Sequence, residues 1–200
     1  MKDYIKDTLN YYDNNIDLYK SLWFDDFSIN YNFEIPDIFL SYLNKESKIL
    51  DMGCGTGRDS KYFKQLGYLV KSIDGSKEMC KIASNLLNEE VEQLNFLDID
   101  YKDEFDGIFA CASLLHLSNE DLLVVFKKIS NALKENGILY ACFKYGNSTR
   151  VDKGRFYNDM NEEKFSNLIN NINNLKILRT WITKQYKSDT KFINYIMLKK

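Results

Sequence analysis

Three aspartates, Asp51, Asp74 and Asp98, stand at the ends of three successive short apolar runs, and the first of them sits two residues ahead of the glycine loop Gly53-Cys54-Gly55-Thr56-Gly57-Arg58. A glycine loop after a strand lets the backbone approach a ligand without a Cβ in the way. The helix that follows turns its free N–H groups toward that ligand and favours an anion. The pattern here is G-x-G-x-G with arginine at position 58, which departs from the G-x-G-x-x-G fingerprint of dinucleotide sites. Asp51 widens the difference. Its carboxylate would repel a pyrophosphate but suits an ammonium, directly or through water. Backbone N–H groups around Gly53, Cys54, Gly55 and Gly57, with Arg58 as a possible aid, suit a carboxylate. Asp74 can accept both hydroxyls of a ribose, a role shared with nicotinamide-binding proteins. Asp98 can accept from the amino group of an adenine while Leu97 packs on the ring.

A ligand with an amino-acid end, a ribose and an adenine but no phosphate meets all four demands, and S-adenosylmethionine (SAM) is such a ligand. Any one of these acids alone reads as easily as a solvated loop residue. Their order along the chain, together with the loop, carries the reading. A nicotinamide-dependent dehydrogenase is opposed by the glycine spacing and by Asp51.

The elements that must position these residues follow from hydrophobic rhythm. Lys48 to Met52 reads as a buried strand ending in the loop, followed by a helix that buries Tyr62, Phe63 and Leu66 and stops at Gly67. A strand over Tyr68 to Asp74, a helix over Lys77 to Leu87 and a strand over Val91 to Phe96 come next. Phe105 to Cys111 is a fourth strand. Ser118 and Asp121 form a capping pattern for a helix burying Leu122, Phe126, Ile129 and Leu133. Gly137 leads into a strand from Ile138 to Phe143. Phe165, Leu168, Ile169 and Ile172 mark a further helix. The runs Lys176 to Thr183 and Phe192 to Leu198 should pair as an antiparallel hairpin turning near Ser188 and Asp189. The expected fold is α/β: a Rossmann-like, doubly wound, mostly parallel seven-stranded sheet with an antiparallel C-terminal strand. One domain is expected over residues 1–200, with an aromatic-rich helical cap or lid over 1–45 and the core over 46–200. The cap carries Tyr11, Tyr12, Tyr19, Trp23, Phe24, Phe27, Tyr31 and Phe33.

The segment ILDMGCGTGRDS resembles the first cofactor motif of class I SAM-dependent methyltransferases. SIDGSKEM is similar to the second, FLDI to the third and FDGIFACASLLHL to the fourth. The resemblance is close from Lys48 to Gly146 and weaker through GRFYND and the closing FINYIMLKK, and it points to a small bacterial subgroup. It implies SAM as cofactor and places it against Asp51, Gly53, Gly55, Asp74, Leu97, Asp98 and the backbone around Cys111. Gly75 and Ser76, within the second motif, join that set. The implied activity is methyl transfer to a small molecule by direct displacement. A nucleic-acid or protein methyltransferase and a non-catalytic SAM-binding protein are the alternatives.

Methyl transfer asks little general chemistry of the protein, because the cofactor brings an activated carbon. His116, the only histidine, follows the fourth strand on the ligand side and is the candidate general base. A packing residue held by a backbone partner is the preferred reading of it. Lys144 and Tyr145 after the fifth strand, and Arg155 with Tyr157 in the following connection, are candidates for the acceptor's polar group; solvated loop positions are the plainer alternative. Tyr12 and Tyr19 are candidates to stack on or bond to the cofactor, since an aromatic face tolerates a sulfonium. Cys54 and Cys111 read as small residues chosen for fit.

The chain of 200 residues carries a net charge of −2, which argues against a nucleic-acid partner drawn by a basic field. No D-P-P-Y or N-P-P-Y motif is present. Cys54, Cys80, Cys111 and Cys142 form no C-x-x-C pair, so no metal site is expected. No apolar run approaches a membrane span and no signal core opens the chain, so a cytoplasmic protein is expected.

Overall fold

The computed structural model describes residues 1–19, 33–185 and 188–200. Trp23, Phe24, Phe27 and Tyr31 of the expected aromatic cap lie outside them. A seven-stranded sheet runs in the order β3-β2-β1-β4-β5-β9-β8. Its strands are β1 (Lys48–Met52), β2 (Leu69–Asp74), β3 (Glu92–Gln93), β4 (Phe105–Ala110), β5 (Leu133–Lys144), β8 (Leu175–Lys184) and β9 (Lys191–Lys199). β1 to β5 are mutually parallel, and β9 runs antiparallel to both β5 and β8. The strand order reverses between β1 and β4. That crevice, outside the C-terminal strand ends, is where doubly wound sheets bind ligands.

The helices are α1 (Asp3–Asn14), α2 (Glu34–Leu40), α3 (Arg58–Gln65), α4 (Lys77–Leu87), α5 (Asn119–Ala132) and α6 (Glu162–Ile169). Alternation along β1 sends Ile49 to one face and Leu50 with Met52 to the other. On the first face Phe39 of α2, Phe63 of α3, Phe109 and Tyr140 pack ring against ring. The opposite face buries Ile108, Phe126, Ile129 and Phe165 beneath α5 and α6. Pro36 is tolerated because it falls in the first turn of α2.

Four expectations need correction. The strand expected over Val91 to Phe96 shortens to Glu92–Gln93, because Asn95 accepts a bond from Leu97 N and caps a 3-10 turn over Phe96–Asp98. Leu66 is exposed rather than buried, since α3 ends at Gln65 and the chain turns outward. Leu133 opens β5 rather than closing α5, so β5 begins before Gly137. The connection after β5, expected as a loop, folds into a hairpin of β6 (Thr149–Asp152) and β7 (Arg155–Asn158). The hairpin turns at Lys153 and Gly154, both at positive φ.

Candidate functional site

The loop after β1 is held from several sides. Gly53 and Cys54 donate their N–H groups to the carbonyl of Ile73, tying the loop to β2. Gly53 adopts a φ of 84°, and a Cβ on it would fall 2.4 Å from that of Ser113, so no other residue fits without displacing the turn after β4. Gly55, with a φ of 56°, faces open space instead. Ser113 fixes the neighbouring turn by donating to the carbonyl of Met52 at 2.7 Å.

A cavity of about 260 Å³ opens at these strand ends, on the scale of a small-molecule site. Its floor is Asp51, Gly53, Cys54, Gly55 and Arg58; Asp74, Gly75 and Met79 form one side. Leu94, Asn95 and Phe96 continue that side, while Cys111, Ala112, Ser113 and His116 form the other. Ala112 stands at a φ of 51°, strain of the kind that concentrates at ligand sites.

Asp51 is 2% exposed and accepts from Ser60 Oγ at 2.5 Å, and Ser60 in turn meets Ser72 Oγ. Burial, then the nearby Asp59, push its carboxyl up to about 7. Arg58 donates from Nε and Nη2 to the two carboxylate oxygens of Asp59, at 3.0 and 2.7 Å. Asp74 accepts from Gly55 N at 2.9 Å with one oxygen and from Ser76 N at 2.8 Å with the other. Burial raises its pKa against the pull of those bonds. Asp74 therefore orients the loop as well as presenting its remaining lone pairs to the cavity.

The roof comes from α1. Ile5, Thr8, Leu9 and Tyr12 face the cavity, and Tyr19 joins them. The helix is latched at both ends. Tyr4 donates to Asp121 and Lys2 pairs with the same carboxylate at 2.7 Å. Thr8 Oγ1 accepts from Phe156 N at 3.0 Å. Asp13 accepts from Ser76 Oγ at 2.6 Å and from Glu78 N at 3.1 Å, capping α4 from outside. A Cβ on Gly75 would meet Leu9 at 2.7 Å, so this glycine lets the roof close.

His116 is held between two partners. Its Nδ1 donates to the carbonyl of Phe156 at 2.6 Å, which leaves Nε2 to accept from Tyr12 Oη at 2.8 Å. Burial lowers its pKa to about 4, so the ring is neutral near pH 7. Burial also drives the Tyr12 phenol well above its ordinary value.

The remaining expected site residues lie outside the cavity wall. Gly57 caps α3 and Ser76 caps α4, the latter buried behind Gly75. The 3-10 turn that brings Phe96 to the cavity leaves Leu97 half-buried and turns Asp98 to solvent. Asn95 and Phe96 occupy the position expected of Leu97 and Asp98. Tyr145 is exposed and bonds Glu162 at 3.3 Å. Lys144, Arg155 and Tyr157 gather behind His116, with Tyr157 buried rather than solvated. Sequence reading missed Thr8, Leu9, Asp13, Asn95, Phe96 and Ser113. The Asn95-Phe-Leu-Asp98 capping pattern was a local sign of the turn. The roof had no comparable sign, because its latches join residues 63 to 148 positions apart.

The donor set fits SAM. A buried acid poised near neutrality suits an ammonium, open backbone at Gly55 admits a close approach, and Asp74 keeps acceptor capacity beside a wall of Leu94, Asn95 and Phe96.

Residues 50–141 match the family described as Methyltransferase domain. An uncharacterized methyltransferase of Staphylococcus carnosus is 30% identical over 148 residues, covering 68% of this chain and 70% of that protein. Among solved structures, 1,6-didemethyltoxoflavin-N1-methyltransferase of Burkholderia thailandensis, with bound 1,6-didemethyltoxoflavin and S-adenosylhomocysteine, superposes with a TM-score of 0.79. It is 18% identical and covers 98% of this chain and 88% of its own. The [4+2]-cyclase SpnF gives a TM-score of 0.75 at 16% identity, over 95% of this chain and 94% of its own. At such identities the likeness is one of fold.

Proposed function

Because the chain belongs to the class I SAM-dependent methyltransferases, we propose that it transfers the methyl group of SAM to a small molecule. The observation that carries this reading is the latched roof. Helix α1 crosses the cavity with Thr8 tied to β7 and Asp13 to the start of α4, which leaves an approach lined by Tyr12 and Tyr19 among the described residues. A roof over the cavity favours a metabolite over a folded protein or a duplex. The net charge of −2 supports the same choice over nucleic acid.

SAM supplies an electrophilic methyl carbon on a sulfonium. Asp51 would hold its ammonium, Asp74 its ribose, and Asn95 and Phe96 would bound its adenine. The acceptor's lone pair would attack that carbon with the neutral thioether as leaving group, and any proton on the acceptor would pass to solvent. The protein's task is to hold the reactants in line and exclude water. His116, neutral with both nitrogens engaged, serves to position Tyr12 rather than to accept that proton. The acceptor is then one that is nucleophilic when bound. A cytoplasmic setting forms part of the proposal and is supported by four free thiols, Cys54, Cys80, Cys111 and Cys142. No helix among the described residues is long and apolar enough to cross a membrane.

Incubation with methyl-labelled SAM and the small-molecule, RNA and protein fractions of a cell lysate tests the proposal. Label is expected in the small-molecule fraction. Label confined to RNA or protein would move the assignment to a macromolecular acceptor, and binding without turnover would make the protein a SAM sensor.

A further inference from the structure

Behind His116, three cations surround one phenol ring. Lys144 Nζ lies 3.8 Å from the centre of the Tyr157 ring, with Arg150 Cζ at 5.1 Å and Arg155 Cζ at 5.2 Å. Two carboxylates answer them. Asp159 pairs with Arg150, and Asp152, half exposed, lies 3.7 Å from Arg155. The Lys144 ammonium makes no ion pair or hydrogen bond among the described residues. Arg155 Nε is buried and likewise has no hydrogen-bond partner among them. One positive charge is thus in excess in a half-buried setting, where like charges repel and desolvation is costly. Burial, then Arg150 and Arg155, pull the pKa of Lys144 below its ordinary value. Such a cluster offers charge-assisted hydrogen bonds to an anion.

The cluster adjoins the cavity on the side opposite Asp74. Arg155 donates to Tyr19 Oη at 3.2 Å, and the Tyr157 ring lies 4.9 Å from that of His116; both Tyr19 and His116 face the cavity. Flat faces surround the approach. Tyr11 stacks on Arg155 at 4.2 Å, and Tyr12 lies 5.2 Å from Tyr19. Arg155 thus touches a cavity-lining ring, and an oxyanion held there would sit beside the cavity.

We propose that the methyl acceptor is a small aromatic acid whose oxyanion is bound by Lys144 and Arg155 beside Tyr157, and whose ring lies among Tyr11, Tyr12 and Tyr19. This rests on the methyltransferase reading and narrows its substrate class. Arg150, already paired with Asp159, keeps the hairpin in place while Lys144 and Arg155 meet the ligand.

The test is calorimetric titration of the protein saturated with S-adenosylhomocysteine, using benzoate, phenyl phosphate and benzamide. At least one of the two acids should bind about tenfold or more tightly than the neutral amide, and whichever binds better identifies the oxyanion. Lys144→Met should erase that preference and Lys144→Arg should keep most of it, while S-adenosylhomocysteine affinity stays within about twofold in both. Equal binding of acid and amide would overturn the proposal, as would no binding of any probe. An acid preference that persists in Lys144→Met, with only a lowered melting temperature, would reduce the cluster to a structural staple of the hairpin. Absent S-adenosylhomocysteine binding in the wild type would instead strike the methyltransferase reading itself.

Discussion

The two sides of the cavity are built in different ways. On the cofactor side, contacts are local in sequence: Asp51 to Ser60, and Asp74 to Gly55 and Ser76, span 9, 19 and 2 positions. Across the cavity, Thr8 meets Phe156, Tyr19 meets Arg155 and Tyr12 meets His116 over 148, 136 and 104 positions. The first side is a strand, a glycine turn and a helix start, which short motifs specify. The second exists only once the N-terminal helix and the β6–β7 hairpin have docked. A shared cofactor needs the same local geometry in every member of a family, whereas an acceptor site can be assembled from whatever the covering segments bring.

That contrast predicts where substitutions bite. Asp74→Ala should be the most damaging for the cofactor, because it removes a charged acceptor and frees two backbone N–H groups at once. We expect SAM affinity to fall by roughly 1.5–3 kcal/mol, about 10–150-fold, at the cost of some loop order. Calorimetry on the folded variant checks it. Unchanged affinity would mean that the cofactor side is held by the glycine turn alone.

Asp51 should give a smaller but pH-dependent effect. Its carboxyl is pushed up to about 7, so an ammonium ligand meets a charged partner above that pH and a neutral one below. SAM affinity should fall as pH drops below 7, by about tenfold per unit at most. The same shift acts on folding with the opposite sense. A carboxyl raised above its unfolded value of 3.8 contributes stability below that value and loses it as pH rises through 7. Asp51→Asn should therefore flatten the pH profile of binding and raise the melting temperature of the ligand-free protein at pH 8. A binding profile that stays steep in Asp51→Asn would assign the titration to another group.

On the acceptor side, His116→Ala should lower the methylation rate by less than about tenfold and leave SAM affinity nearly intact, below the ~10²–10⁴ of a general base. At saturating SAM the rate should show no inflection near pH 6.5, since burial holds the imidazole at about 4. A hundredfold loss with folding intact would make His116 the base after all and point to an oxygen acceptor. Tyr145→Phe should do least, under about twofold in rate, because the side chain is exposed and its hydroxyl meets Glu162 at the surface.

How much was legible in the sequence follows from the same division. The helix over Lys77 to Leu87 and the closing hairpin were readable from period and turn residues, and so were the buried runs that became β1, β2 and β4. That Asp51, Gly53, Gly55 and Asp74 would cluster at one cavity was readable because the chain brings them together within one strand–turn–helix–strand unit. Asp98 misled because the run before it is apolar enough for a strand, yet Asn95 caps a turn there and sends the acid outward. Arg155 and Tyr157 gave no signal of burial, because alternation over four residues is too short to separate a docked hairpin from a loop. Thr8 and Asp13 gave none because a helix surface does not say which distant strand or helix end it will meet.

The most direct test of the account is calorimetry of the wild-type protein with S-adenosylhomocysteine and, in parallel, with NAD. The account predicts saturable binding of the former near one site per chain and no comparable heat from the latter, because Asp51 faces the place where a pyrophosphate would lie. Tight NAD binding with no heat from S-adenosylhomocysteine would contradict it.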